Sequence, residues 1–194
     1  MSDGERQSAE AAPAWCGYPD GYLDYAVRLL RPGDERPLAE FYANLSERSR
    51  YFFEPYTDTS VEAMREVVAR SVSGADLSLA ALEPGGRVIG HVFYREVDAE
   101  VPHLGIGLLD AYQDLGLGST LLAYLISLGR HVLGKRAIGL TVMKENARAR
   151  HLYEKFGFRV LRDVTFRTTD DSHEMRLEFA CRPADSRPET RTLP

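Results

Sequence analysis

The stretch Leu104-Gly105-Ile106-Gly107-Leu108-Leu109-Asp110-Ala111-Tyr112-Gln113-Asp114-Leu115-Gly116-Leu117-Gly118-Ser119 restricts the fold of this chain more than any other. It opens as an apolar, glycine-containing strand, passes through a short polar turn, enters Gln-x-x-Gly-x-Gly and continues as an amphipathic helix. A glycine-rich turn that feeds a helix leaves backbone N–H groups without helical partners, pointing one way and reinforced by the helix dipole. Glycine lets an anion approach that backbone closely, so the pattern predicts a phosphate site between a strand and a helix.

Two common phosphate motifs do not fit. No Gly-x-x-x-x-Gly-Lys-Ser/Thr run occurs. A dinucleotide fingerprint needs a third glycine where Leu121 stands and a first glycine at the strand end, but the turn from Asp110 to Leu115 intervenes. A glycine turn that holds no ligand is the alternative, and a second motif must separate the two.

With 194 residues and 44% hydrophobic side chains, the chain can bury one sizeable core. A net charge of −5 and a sequence pI of about 5.6 give no electrostatic footprint for nucleic acid and are compatible with a cationic, amine-bearing partner. No apolar run approaches the roughly 20 residues of a membrane helix, so no membrane partner is expected, and no signal-peptide core stands near the first residues. Cys16 and Cys181 lack metal-ligand spacing. No metal is expected, and the expected setting is reduced and cytoplasmic.

In order, the chain predicts β, α, α, β, β, β, α, β, α, β, β. Residues 1–22 read as a polar arm, with Trp15 and Tyr18 expected to pin its end. A strand over 25–30 precedes a helix with Asp34 as candidate N-cap and Leu38, Phe41, Tyr42 and Leu45 as its stripe. An aromatic and basic cluster follows at 46–53. Thr59-Ser60 then caps a helix with the stripe Val61, Met64, Val67, Val68 and Val72, ended by Ser73-Gly74. Two helices here either wall a substrate site or simply cover the sheet. Residues 77–82 and 87–97 pair across Glu83-Pro84-Gly85-Gly86. In the central strand, 103–109, Gly105 and Gly107 mark a bulge or a close approach to the backbone.

The helix after the glycine turn carries Leu117, Leu121, Tyr124, Leu125, Leu128 and Val132 on one face and stops at Gly134. Residues 137–143 are almost wholly apolar, as in a strand buried on both faces. A helix over 146–156, closed by Gly157, buries Ala149, Leu152, Tyr153 and Phe156. A hairpin of 159–166 and 173–179 closes the domain across 168–171, and a polar tail starts at 181. Hairpins at both ends make this an α+β fold with a mixed sheet, spanning 23–180 between the arm and the tail, 181–194.

Asn146 and Tyr153 stand seven residues apart, two helical turns, and so project from nearly one face. Taken singly they read as an N-cap and a core aromatic. Together with the glycine turn they resemble the GNAT superfamily of acyl-CoA-dependent N-acetyltransferases. One family signature stands as Gln113-Asp114-Leu115-Gly116-Leu117-Gly118; the other as Asn146, Ala149, Tyr153, Gly157 and Phe158. The resemblance covers roughly 25–179 and implies a mostly antiparallel mixed sheet of about seven strands with about four flanking helices. Leu45 to Phe53 also looks like a stretch of some bacterial protein-lysine acetyltransferases, departing at Glu47 and Arg48.

The resemblance implies acetyl-CoA as donor and a primary amine, on a small molecule or a protein, as acceptor. Gln113 and the backbone amides of Asp114, Leu115, Gly116, Leu117, Gly118 and Ser119 would hold the pyrophosphate. Ile106, Gly107 and Leu108 would pair with the pantetheine arm, and Asn146 would hydrogen-bond it. Tyr153 would protonate the departing thiolate. A glutamate base placed by some relatives on the strand before the second signature falls at Thr141 here. Alternation puts His103 on the same side of its strand as Gly105 and Gly107, where some relatives carry a glutamate, so His103 is a candidate base. A plain surface histidine is the alternative, with Glu100 or a water chain then supplying the base. A non-catalytic acyl-CoA sensor on the same fold is the alternative, and monomer and homodimer both remain open.

Overall fold

Seven strands form one sheet in the computed structural model, which describes residues 24–165 and 171–179. They are β1 Ala26–Leu29, β2 Leu77–Leu82, β3 Val88–Arg95, β4 His103–Leu108, β5 Ala137–Met143, β6 Arg159–Val164 and β7 Ser172–Glu178. Across the sheet the order is β1-β2-β3-β4-β5-β7-β6, antiparallel except where β4 meets β5. The α+β class and the mostly antiparallel mixed sheet are those expected. The arm 1–22, the tail 181–194, Trp15, Tyr18 and both cysteines lie outside the described residues, as does most of the turn expected at 168–171.

Five α-helices flank the sheet rather than about four: α1 Glu35–Ala43, α2 Glu47–Phe52, α3 Val61–Ser73, α4 Leu117–Ser127 and α5 Ala147–Lys155. The additional one is α2, whose six residues bury no side chain and so carry no stripe to read. It exists because Ser46 caps it, the hydroxyl accepting from the Ser49 amide at 3.2 Å. Ser60 caps α3 in the same way. Asp34 stands at the N-cap of α1 but does not cap it. Its carboxylate instead accepts from both Arg28 guanidinium nitrogens, at 2.6 and 2.8 Å, and from the Arg31 amide.

The stripe read along α4 fails past its middle: Tyr124 is 46% and Val132 69% exposed. Tyr94 is the cause. Its buried hydroxyl donates to the Leu125 carbonyl at 2.8 Å, and it lies 2.7 Å from where a Cβ on Gly129 would stand. A side chain inserted into the helical ladder breaks its period, and the chain widens into a π turn at Leu128–Val132. Val72, read as core, is likewise exposed.

The suspected bulge in β4 is absent; its register with β3 runs unbroken from Gly90–Leu108 to Arg95–His103. Gly105 and Gly107 instead leave room for two rings. A Cβ at Gly105 would come 2.2 Å from the Phe93 ring, and one at Gly107 would come 2.2 Å from the Phe53 ring. Those rings, with Tyr42, Tyr56 and His91, form an aromatic layer beneath α1 and the segment after α2. By strand alternation, His103, Gly105 and Gly107 share that face. Leu104 and Leu108 point to the other, where α4 packs against β4 and Gly118 lies beside Leu108.

Candidate active site

Strands β4 and β5 touch at a single pair, His103 with Gly139, and part beyond it. Which groups line the opening follows from parity. The Leu109 amide donates to Ile89 on β3, and the Gly139 amide donates to the Pro102 carbonyl. Odd-numbered residues of β4 therefore bond to β3, and the amides of Ile106 and Leu108 are directed toward β5 where β5 has already turned away. Gly107 sends its amide to β3 and contributes a bare Cα beneath Phe53.

The opening continues into a groove of about 900 Å³. One wall is α5 with Asn146, Leu152 and Tyr153; the other is α2 with Arg48, Phe52 and Phe53; the glycine turn closes the end. That turn is left-handed at Asp114, φ 60°, and at Gly116, φ 83°. The amides of residues 114 through 119 have no acceptor among the described residues, because the first bond of α4 starts at Thr120, whose amide donates to Gly116. A helix start with six undirected donors and two left-handed residues is a nest for an oxyanion.

Gln113 belongs to this turn as a brace. Its side-chain amide donates to the Leu108 carbonyl and the Ser49 hydroxyl, both at 3.1 Å, and its oxygen accepts from Arg148 at 2.9 Å. Asp110 ties α2 to the strand end: its carboxylate accepts from the Ser46 amide, the Ser46 hydroxyl at 2.7 Å and the Ser49 hydroxyl at 2.9 Å. Partial burial raises its pKa, but these bonds win and hold the carboxyl below its ordinary range. Arg148 also pairs with Asp114 at 3.0 Å across the turn. Asp110 and Arg148 carry no sequence signal for these roles, and the 45–53 stretch gives no local sign that Ser46 and Ser49 meet an aspartate 61 to 64 residues away.

Asn146 fulfils the capping role, its oxygen accepting from the Ala149 amide at 3.1 Å, and lines the groove as well. Tyr153 is buried, its ring against Phe158, and its hydroxyl has no partner among the described residues. Burial raises its pKa well above the ordinary value, so it holds its proton.

His103 is not in this groove. It lines a second cavity of about 490 Å³, on the face of the aromatic layer, with Val101, Thr141, Arg162, Glu174 and Arg176. Although His103 is exposed at the surface, partial desolvation of its ring, and then the charge of Arg95, lower its pKa against smaller pulls from Glu174 and Glu96. Parallel pairing puts Thr141 level with Gly105 across the opening. Thr141 in the second cavity and Ile106, Gly107 and Leu108 in the groove thus flank the same gap between β4 and β5. Among the described residues no cluster has the makings of a metal site.

Residues 41–158 match the acetyltransferase (GNAT) family, which is more than half of the chain. The chain belongs to that family. It is an acetyltransferase that takes its acetyl group from acetyl-CoA for transfer to an amine. The catalytic subunit ard1 of the N-terminal acetyltransferase A complex of Schizosaccharomyces pombe is 28% identical over 129 residues, 62% of this chain and 72% of that protein. Spermidine N-acetyltransferase of Vibrio cholerae, solved with CoA and spermine, superposes with a TM-score of 0.67 at 21% identity, over 79% of this chain and 95% of that one. The GNAT domain of S. lividans PAT gives 0.66 at 21%, over 80% and 91%. At these identities the solved structures establish the fold.

Proposed function

We propose that this enzyme binds acetyl-CoA along the groove and receives its amine acceptor across the gap between β4 and β5, through the cavity beside His103. The observation that carries the reading is the pair of unpaired β4 amides, Ile106 and Leu108, at a gap that both cavities reach. The nest from Asp114 to Ser119 holds the pyrophosphate, and Arg148 stands over it. The edge of β4 receives the pantetheine arm as an added strand, with one of its amides polarising the thioester carbonyl. Asn146 orients the arm from α5. The protein's main contribution is alignment: a neutral amine held in line attacks a thioester without a covalent enzyme intermediate.

Tyr153 gives its proton to the sulfur as the carbon–sulfur bond breaks. Its raised pKa keeps it protonated, and its hydroxyl is tied to no other group. On the acceptor side His103 stays neutral at physiological pH and takes the amine's proton, directly or through water. Thr141 lines the same cavity but cannot act as a base there.

Tyr153→Phe tests the assignment. Turnover, read as thiol release with a panel of amines, falls about 10²-fold or more, while CoA still raises the thermal midpoint as in the parent. Equal loss of binding and rate would make Tyr153 a structural residue instead. We also place the enzyme in the cytoplasm, on the sequence features given above.

A further inference from the structure

We infer that the acceptor is an amine carrying a carboxylate close to it, received by Arg176 and Arg162 at the far wall of the second cavity. The inference rests on the proposed acceptor route. Register brings the charged lining together: Arg176 pairs with Gly139, Glu174 with Thr141, and Arg162 with Glu174, all on the face that bears His103. Among the described residues the lining therefore holds two guanidinium groups and one carboxylate. That carboxylate is already engaged, since Glu174 accepts from Arg162 Nε at 2.5 Å. The acid nearest Arg176 is Glu178 at 3.6 Å, itself 67% exposed and outside the cavity lining.

Two further groups set the sign of the field. Arg95, cross-strand partner of His103, stacks over the Tyr56 and Phe93 rings and donates to the Pro55 carbonyl, filling the aromatic surface a cationic tail would otherwise occupy. Glu96 opposes it from an exposed turn. A tail of further ammonium groups, as in a polyamine, would meet Arg176 and Arg95, with Arg162 and Glu174 offsetting each other. Such like-charge placement selects against a partner more sharply than attraction selects for one. An α-amine followed by an acidic residue, or a free amino acid, places an anion where the guanidinium groups stand.

The experiment measures kcat/KM for two peptides that start Ser-Glu and Ser-Lys, for free glutamate and for spermidine. The parent prefers the acidic peptide by about tenfold or more, and high salt shrinks the difference. Arg176→Glu lowers the acidic-to-basic ratio by about tenfold, with Arg176→Gln between, while the KM for acetyl-CoA stays within about twofold. Use of glutamate identifies a small acceptor; use of the peptide alone identifies a protein N-terminus. Preference for spermidine or the lysine peptide, or an unchanged ratio in Arg176→Glu, overturns the inference. So does absence of turnover with every acidic amine while CoA still raises the thermal midpoint. Loss of that thermal shift in the parent would instead sink the donor-site reading.

Discussion

The ring of Phe53 lies against Gly107, so close that a methyl group on that glycine would stand 2.2 Å from one ring carbon and 2.3 Å from the next. The ring stacks in turn on Tyr42, with centroids 6.1 Å apart and planes 12° from parallel. The contact joins the wall of the donor groove to the aromatic layer of the acceptor face.

Gly107→Ala should therefore act by overpacking. Urea unfolding is expected to show a loss of about 1–3 kcal/mol. Adding Phe53→Leu should restore most of it, since the shorter side chain yields the space. A single variant as stable as the parent would show that the ring moves freely.

Gly116 and Gly118 should respond differently. At Gly116 a Cβ meets nothing within 4 Å, but φ is +83°, so Gly116→Val is penalised by conformation and the CoA-induced rise in thermal midpoint should vanish. At Gly118 a Cβ makes ordinary contacts with Leu108 and Leu152, at 3.6 and 3.9 Å. Gly118→Ala should fold with its midpoint within a few degrees of the parent.

Asp110→Asn should loosen α2 without unfolding the domain. Its carboxylate accepts three bonds from Ser46 and Ser49, and an amide can accept only part of that set. Amide exchange at Arg50 and Phe53 is expected to quicken about tenfold, and the KM for acetyl-CoA to rise, because Phe53 shares the helix end. Unchanged exchange would show that α2 is held by its aromatic contacts alone.

His91 sets an acid limit on stability. It is fully buried against Tyr42, whose hydroxyl lies 2.8 Å from Nδ1, and desolvation followed by the charge of Arg95 pushes its pKa down to about 3. The unfolded chain, with an ordinary value near 6.5, binds the proton first. Stability is therefore intact above about pH 6.5 and falls with pH down to about 3, by at most about 1.4 kcal/mol per unit. Between pH 7 and 5 the parent should lose about 2 kcal/mol more than His91→Gln, measured by urea unfolding at each pH.

The strand–turn–helix around Gln113 and the apolar run of β5 were legible because their patterns are local: alternation, glycine at a left-handed turn, a cap three residues from its amide. The same locality made Asn146 and Tyr153 visible as a pair. What escaped depends on contacts across the sheet. Gly105 and Gly107 announced close approach, but the rings that approach come from Phe93 on the neighbouring strand and Phe53 more than fifty residues earlier. The stripe of α4 misled because Tyr94, on a different element, interrupts the helix. Alternation alone puts His103 on the face of Gly105 and Gly107, yet only the register of β5 and β7 shows the charged wall beside it.

The single bridge between His103 and Gly139 divides the sheet into two blocks, β1 to β4 and β5 with β7 and β6, which share little backbone bonding. An extended ligand along the edge of β4 then serves as a missing seam. On the proposed donor route, acetyl-CoA adds backbone bonding where the two blocks have least of it, so amides of β4 and β5 beside the gap should exchange more slowly when it is bound.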